Sequence, residues 1–178
     1  MSQAQQRLGR WMIILAWVGL LGLLTLLFDQ WLEGRNYPNR DLEVAVSNGV
    51  REVRLQRNAA GHYLAPGAIN GYPVRFLLDT GASNVTVPAE LAHRLELDYG
   101  PPLRARTANG TITVYLTQLR RVALGPIELA GVRASINPHM EGETVLLGMS
   151  FMRELELIQR GGVLTLRQDR GISSNTVN

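Results

Sequence analysis

Two side chains that carry much of protein chemistry are missing from these 178 residues: there is no cysteine and no lysine. Without cysteine there is no thiol nucleophile, no thiolate metal site and no disulfide. Without lysine there is no phosphate-loop lysine, no Schiff base and no Ser/Lys dyad. Histidine is scarce, and His62, His93 and His139 lie far apart with no ligand spacing around them, so no metal site is expected. No Gly-x-Ser-x-Gly elbow occurs. The basic excess is small: 18 arginines face 15 acidic residues, for a net charge of +3. The pairs Arg104/Arg106 and Arg120/Arg121 have no aromatic interleaving, which argues against nucleic acid as a partner. Carboxylate chemistry, without a cofactor, is what remains.

One long apolar run is present. Trp11 to Phe28 contains no charged residue, and as a helix it would rise about 27 Å, close to the hydrocarbon thickness of a bilayer. Trp11 and Trp31 bracket it, as interfacial indoles do. A cleaved signal peptide is the competing reading, but no small-x-small site follows in Asp29-Gln30-Trp31-Leu32-Glu33. Arg7 and Arg10 precede the run, and Asp29 and Glu33 follow it. The positive-inside rule then puts residues 1–10 in the cytoplasm and the rest across the membrane, which in a bacterium means the periplasmic side of the inner membrane. Residues 29–48, with Gly34, Asn36, Pro38 and Asn39, read as a linker. Residues 49–168 read as the folded domain and 169–178 as a polar tail.

That domain has the pattern of an all-β barrel or sandwich with one or two short helices. Strands are expected at Val50–Leu55, His62–Ile69, Tyr72–Leu78 and Asn84–Val87. Pro88–Leu95, with Pro at its start and Leu91 and Leu95 four apart, reads as a short helix. Leu103–Ala108 and Thr111–Leu116 flank Asn109-Gly110, a strong hairpin signal. Further strands are expected at Gln118–Leu124, Ile127–Ser135 and Thr144–Leu147, then a helix over Met149–Leu155. A terminal hairpin, Glu156–Gln159 with Val163–Arg167, turns at Arg160-Gly161-Gly162.

The informative junction lies where the apolar strand Tyr72–Leu78 ends in Asp79-Thr80-Gly81-Ala82. An Asx-turn would explain an Asp and a Gly there with no chemistry at all. The sequence around them makes a stronger case. Phe76-Leu77-Leu78-Asp79-Thr80-Gly81-Ala82, the Arg106–Gly110 hairpin and Val145-Leu146-Leu147-Gly148 with its following helix occur in that order. In this the chain resembles the retropepsin-like aspartic proteases, within them the bacterial membrane-anchored group, over about Val50 to Leu166.

The resemblance implies an acid-protease β-barrel and an endopeptidase with Asp79 as the catalytic residue. It implies that Thr80, Gly81 and Ala82 support the catalytic loop and that Ala108, Asn109 and Gly110 form the tip of a substrate-covering flap. Leu146, Leu147 and Gly148 form the second apolar-Gly motif. Aspartic proteases activate water between two carboxylates that share one proton, because two like charges about 3 Å apart cannot both ionise. Only one Asp-Thr-Gly occurs here. Asp98 and Asp169 lack its context, and Asp29 and Asp41 fall in the linker. The second carboxylate is therefore expected from Asp79 of another copy, in an isologous homodimer acting on a peptide or protein substrate. The terminal hairpin departs from the single terminal strand with which viral members build their dimer sheet. Two other readings stay open: a non-catalytic peptide-binding or dimerisation module of the cell envelope, and a structural envelope protein whose Asp79 merely caps a turn.

Overall fold

In the computed structural model, residues 3–107 and 110–169 are described, and the chain divides into two units at Asn36/Tyr37. The first unit is a single helix, α1 (Gln3–Asn36). Its Trp11–Phe28 stretch is long and apolar enough to cross a membrane, and Trp11, Leu15, Trp17, Leu21 and Phe28 are all exposed. The Thr25 hydroxyl, polar in an apolar run, donates back to the carbonyls of Leu21 and Gly22 at 3.1 and 2.8 Å. Such back-bonding lets a hydroxyl sit on an apolar helix without needing water.

The second unit begins at once. The expected linker of residues 29–48 is helical to Asn36 and then joins the folded domain. The Arg75 guanidinium lies 4.9 Å over the ring of Tyr37. Asn39 is only 3% exposed. Its amide donates to the carbonyls of Gln56 and Leu64 at 2.9 and 2.7 Å and accepts from the Gln56 N–H at 2.6 Å. A polar side chain buried this deeply is tolerated because its hydrogen-bonding groups are partnered. Glu43–Ser47 is then a strand, β1, within the span expected as linker.

Strands β2 (Val50–Gln56), β10 (Glu156–Arg160) and β11 (Val163–Asp169) join β1 in a four-stranded antiparallel sheet of order β1-β2-β11-β10. Asn48-Gly49 and Gly161-Gly162 have positive φ at both positions, as type I′ hairpin turns require. One face of the sheet sends Val53, Leu55, Leu164 and Leu166 into the core. The other face carries an ion-pair ladder. Glu52, 8% exposed, receives Arg167 at 2.6 Å and Arg54 at 2.7 Å, and Arg54 also reaches Glu43 at 3.0 Å. The Arg167 guanidinium, opposing the effect of burial and aided by Arg54, holds the Glu52 carboxyl below its usual range.

The remaining strands are β3 (Tyr63–Ile69), β4 (Tyr72–Leu78), β5 (Val85–Pro88), β6 (Pro102–Thr107), β7 (Gly110–Leu124), β8 (Ile127–Asn137) and β9 (Thr144–Leu147). They pair in the order β3-β4-β9-β5-β8-β7-β6, and β3 returns to β7 through Ala68↔Ala123 and Ile69↔Val122 to close a barrel. Where two separate strands were expected at Thr111–Leu116 and Gln118–Leu124, β7 runs unbroken, since no Gly or Pro interrupts it. The short helices are α2 (Ala89–Arg94) and α3 (Met149–Met152). The barrel interior is filled by side chains with no exposure, among them Phe76, Ile69, Leu124, Ile136, Leu147 and Phe151.

Candidate active site

Asp79 stands where β4 leaves the barrel, between its sequence neighbour β3 and a strand far along the chain, β9. β9 inserts parallel to β4 with Leu77↔Leu146 and Leu78↔Leu147 in register. The two apolar motifs thus lie side by side, and the Asp79 N–H donates to the Leu147 carbonyl at 3.2 Å. Leu77 and Leu78 alternate faces, as the pleat demands, so Leu78 enters the core and the chain emerges at Asp79.

The loop from Asp79 to Asn84 is fixed at both levels. Within it, the Gly81 N–H donates to Asp79 Oδ1 at 2.9 Å and the Ala82 N–H to the Asp79 carbonyl at 3.2 Å. From below, the α3 N-terminus holds it: the Met149 N–H reaches the Ala82 carbonyl at 2.8 Å and the Ser150 N–H the Ser83 carbonyl at 2.9 Å. Gly148 has an ordinary backbone conformation but no room for a side chain. A Cβ there would overlap the Asn84 carbonyl and sit 2.7 Å from the Ala82 carbonyl oxygen. Ser150 ties a third element in, donating its hydroxyl to the Arg133 carbonyl on β8 at 2.7 Å and accepting from the Val85 N–H at 2.9 Å. Apart from the Gly81 bond to Asp79 Oδ1, the bonds that hold the loop use its backbone groups.

Asp79 is half-buried, while Thr80 and Gly81 are exposed. Beside them opens a groove of about 680 Å³, walled on one side by the β6–β7 hairpin through Ala105, Ile112 and Val114. Thr86, Ser135 and Leu146 line its other side, the two hydroxyls 3.4 Å apart. Among the described lining residues Asp79 is the sole carboxylate, and Asp98 and Asp169 lie elsewhere. No cluster of metal-ligating side chains occurs among the described residues. One carboxylate in a groove can hold or take a single proton; it cannot act as base and acid at the same moment.

Of the residues singled out in sequence, Asp79, Gly81, Ala82 and Leu146 converge on the groove, and Leu147 and Gly148 hold the loop from behind. Gly110 opens β7 opposite Thr107, but Ala108 and Asn109 at the hairpin tip lie outside the described residues. Sequence reasoning missed Ser150, Thr86 and Ser135. The Ser150 bond to Val85 spans 65 residues of sequence, and no local pattern encodes it.

A closed β-barrel with an Asp-Thr-Gly loop clamped by an apolar-Gly strand and short helix is the retropepsin-like aspartic protease fold. Residues 65–154 match the gag-polyprotein putative aspartyl protease family, and the chain belongs to that family. A solved structure, the retropepsin-like aspartic protease from Rickettsia conorii, superposes with a TM-score of 0.58 at 25% identity, over 72% of this chain and 96% of that one. An uncharacterized protein from the cobV 5′ region of a Sinorhizobium species is 32% identical over 125 residues, 68% of this chain and 54% of the relative. An uncharacterized protein of Rickettsia prowazekii (strain Madrid E) is 27% identical over 113 residues, 62% and 48% respectively. The chain spans about half the length of these curated relatives.

Proposed function

We propose that this protein is a membrane-anchored aspartic endopeptidase in which two copies of Asp79, one from each protomer of a homodimer, activate the water that attacks a peptide bond. The observation that carries the reading is Asp79, the sole carboxylate among the described residues lining a groove of about 680 Å³, on a loop held by hydrogen bonds from within and from the α3 N-terminus. A second carboxylate is required, and the exposed Thr80-Gly81 edge offers the place for it to arrive. One carboxylate takes the proton of the water while the other, protonated, polarises the carbonyl oxygen. Thr80 supports the pairing of the two loops, and the β6–β7 tip at Ala108-Asn109-Gly110 closes over the peptide. Residues Trp11–Phe28 anchor the chain in a bacterial inner membrane with the protease domain on the periplasmic side, and confinement to one bilayer raises the encounter rate of protomers.

The test is cleavage of a denatured protein by the purified full chain at mildly acidic pH, beside an Asp79→Asn variant. Loss of at least about a hundredfold in kcat is expected, the scale of a removed acid–base group. Cleavage that survives the substitution refutes the mechanism. An inactive wild type that still binds peptides would make the protein a binding module instead.

A further inference from the structure

The basic pair Arg104/Arg106 stands on the wall of the Asp79 groove. Both residues lie on β6, where Leu103, Arg104, Ala105 and Arg106 all line that groove. Cross-strand partners share a face of an antiparallel hairpin. The pairs Leu103↔Val114 and Ala105↔Ile112 therefore give the β6–β7 hairpin an apolar face, and Arg104↔Thr113 and Arg106↔Thr111 give it a polar one. Residues of both faces line the groove, so it follows the outer edge of β6, the strand that ends the seven-stranded sheet. An extended peptide along that edge presents alternate side chains to the apolar face and to the arginines.

Charge gives this wall a sign. Arg94 meets Glu143 at 2.8 Å and Arg167 meets Glu52 at 2.6 Å, but the exposed Arg104 and Arg106 have no ion-pair partner among the described residues. Against these two cations, Asp79 is the sole carboxylate among the described lining residues. The rest of the wall is neutral: Thr86, Ser135 and Asn137 supply hydroxyl and amide groups, and Ile112, Val114 and Leu146 apolar ones. A cleft with an excess of one sign of charge draws ligands of the other. The spacing adds a pattern. Arg104 and Arg106 are two residues apart, about 6.8 Å along a strand, and so are successive side chains on one face of an extended peptide.

We infer that the groove selects acidic peptides, Arg104 and Arg106 pairing with Asp or Glu side chains two residues apart near the scissile bond. This names the substrate class of the proposed protease and rests on that reading. In the homodimer the arginine pair occurs twice, beside an Asp79 couple that shares one proton, so a carboxylate is favoured on either side of the scissile bond. Exposed ion pairs are individually weak, so two of them favour an acidic peptide over its amide twin by about five- to tenfold in kcat/KM. The test is a digest of a denatured proteome by the full chain in detergent at pH 6, where Asp and Glu are ionised. Mass spectrometry reads the cut sites, and a cut peptide is then compared with its Gln- and Lys-substituted twins. Asp and Glu are expected to be enriched within a few residues of the cut, and the acidic twin to be preferred by that factor.

The combined Arg104→Glu/Arg106→Glu change should invert the preference toward the Lys twin. Arg120→Glu/Arg121→Glu, an equal change of charge on β7 away from the groove lining, should leave it acidic. Raising salt from about 0.05 to about 0.5 M should bring the wild-type preference close to unity, a check that needs no variant. Cut sites without acidic enrichment, or a preference that moves equally in both double variants or in neither, overturn the inference and leave the protease standing. Binding separates the two the other way. A wild type that cuts nothing, beside an Asp79→Asn chain that binds the acidic peptide about five- to tenfold tighter than its Gln twin, keeps the inference and rejects the enzyme. Neither cleavage nor preferential binding overturns both.

Discussion

Ser150→Ala isolates what holds the Asp79 loop in place. The hydroxyl bridges two elements: it donates to the Arg133 carbonyl at 2.7 Å and accepts from the Val85 N–H at 2.9 Å. Val85 has no exposure and Ser150 only 7%, so water cannot replace the lost oxygen at the amide. A buried donor left unsatisfied costs about 1–3 kcal/mol. Arg133 is an exposed residue and its carbonyl recovers part of its loss from water, so the middle of that range, about 2 kcal/mol, applies. For a domain of this size that lowers Tm by about 4–8 °C. The assay is thermal unfolding of the full chain in detergent, followed by the β-sheet circular dichroism signal, beside Asp79→Asn. The latter keeps the Oδ1 acceptor for the Gly81 N–H and should leave Tm within about 1–2 °C. A Tm for Ser150→Ala within a degree of wild type would refute the account of the clamp. So would a Ser150→Ala chain that is destabilised while Val85 keeps wild-type amide-exchange protection.

Gly148→Ala should be worse, since its Cβ collides with backbone at Asn84 and Ala82 rather than with a movable side chain; a loss of about 3 kcal/mol or more is expected from urea unfolding. Tyr63→Phe should go the other way: the buried Tyr63 hydroxyl has no hydrogen-bond partner among the described residues, so its removal leaves stability unchanged or raises it by up to about 1 kcal/mol. Glu52→Gln should lower Tm at neutral pH by a few degrees through loss of the Arg167 and Arg54 contacts. Because the folded-state pKa of Glu52 is depressed, its contribution is present above the unfolded value of about 4.3 and fades as pH falls through the lower folded one. The Tm difference between wild type and Glu52→Gln should therefore be constant from pH 5 to 7 and shrink below about pH 4; a difference that widens on acidification would contradict the assignment.

Local sequence encoded the turns and the strands beside them. Asn70-Gly71 takes positive φ at both residues and delivers β4 in register with β3, and the alternation from Tyr72 to Leu78 sets which side chains enter the core. The Asp79 motif and the Leu146-Leu147-Gly148 motif were each legible for the same reason: an apolar run stopped by a small or acidic residue is a local event. Asn48-Gly49 is a hairpin dipeptide of the same kind, yet Glu43–Ser47 lies among polar residues and by local pattern reads as linker. Its strand character comes from β2, which exists only in the folded sheet.

What the folded chain alone decided is how distant pieces meet. The insertion of β9 between β4 and β5, the return of β3 to β7, the burial of Asn39 against Gln56 and Leu64, and the Ser150 bridge all join residues widely separated along the chain. Their stabilisation appears only after the intervening segments have closed, so no window of neighbouring residues carries it. Composition excluded thiol and amine chemistry and made a carboxylate the expected reactive group. The tertiary structure decided that, among the described residues, Asp79 is the sole carboxylate lining its groove, because the barrel brings no other described acid to that rim.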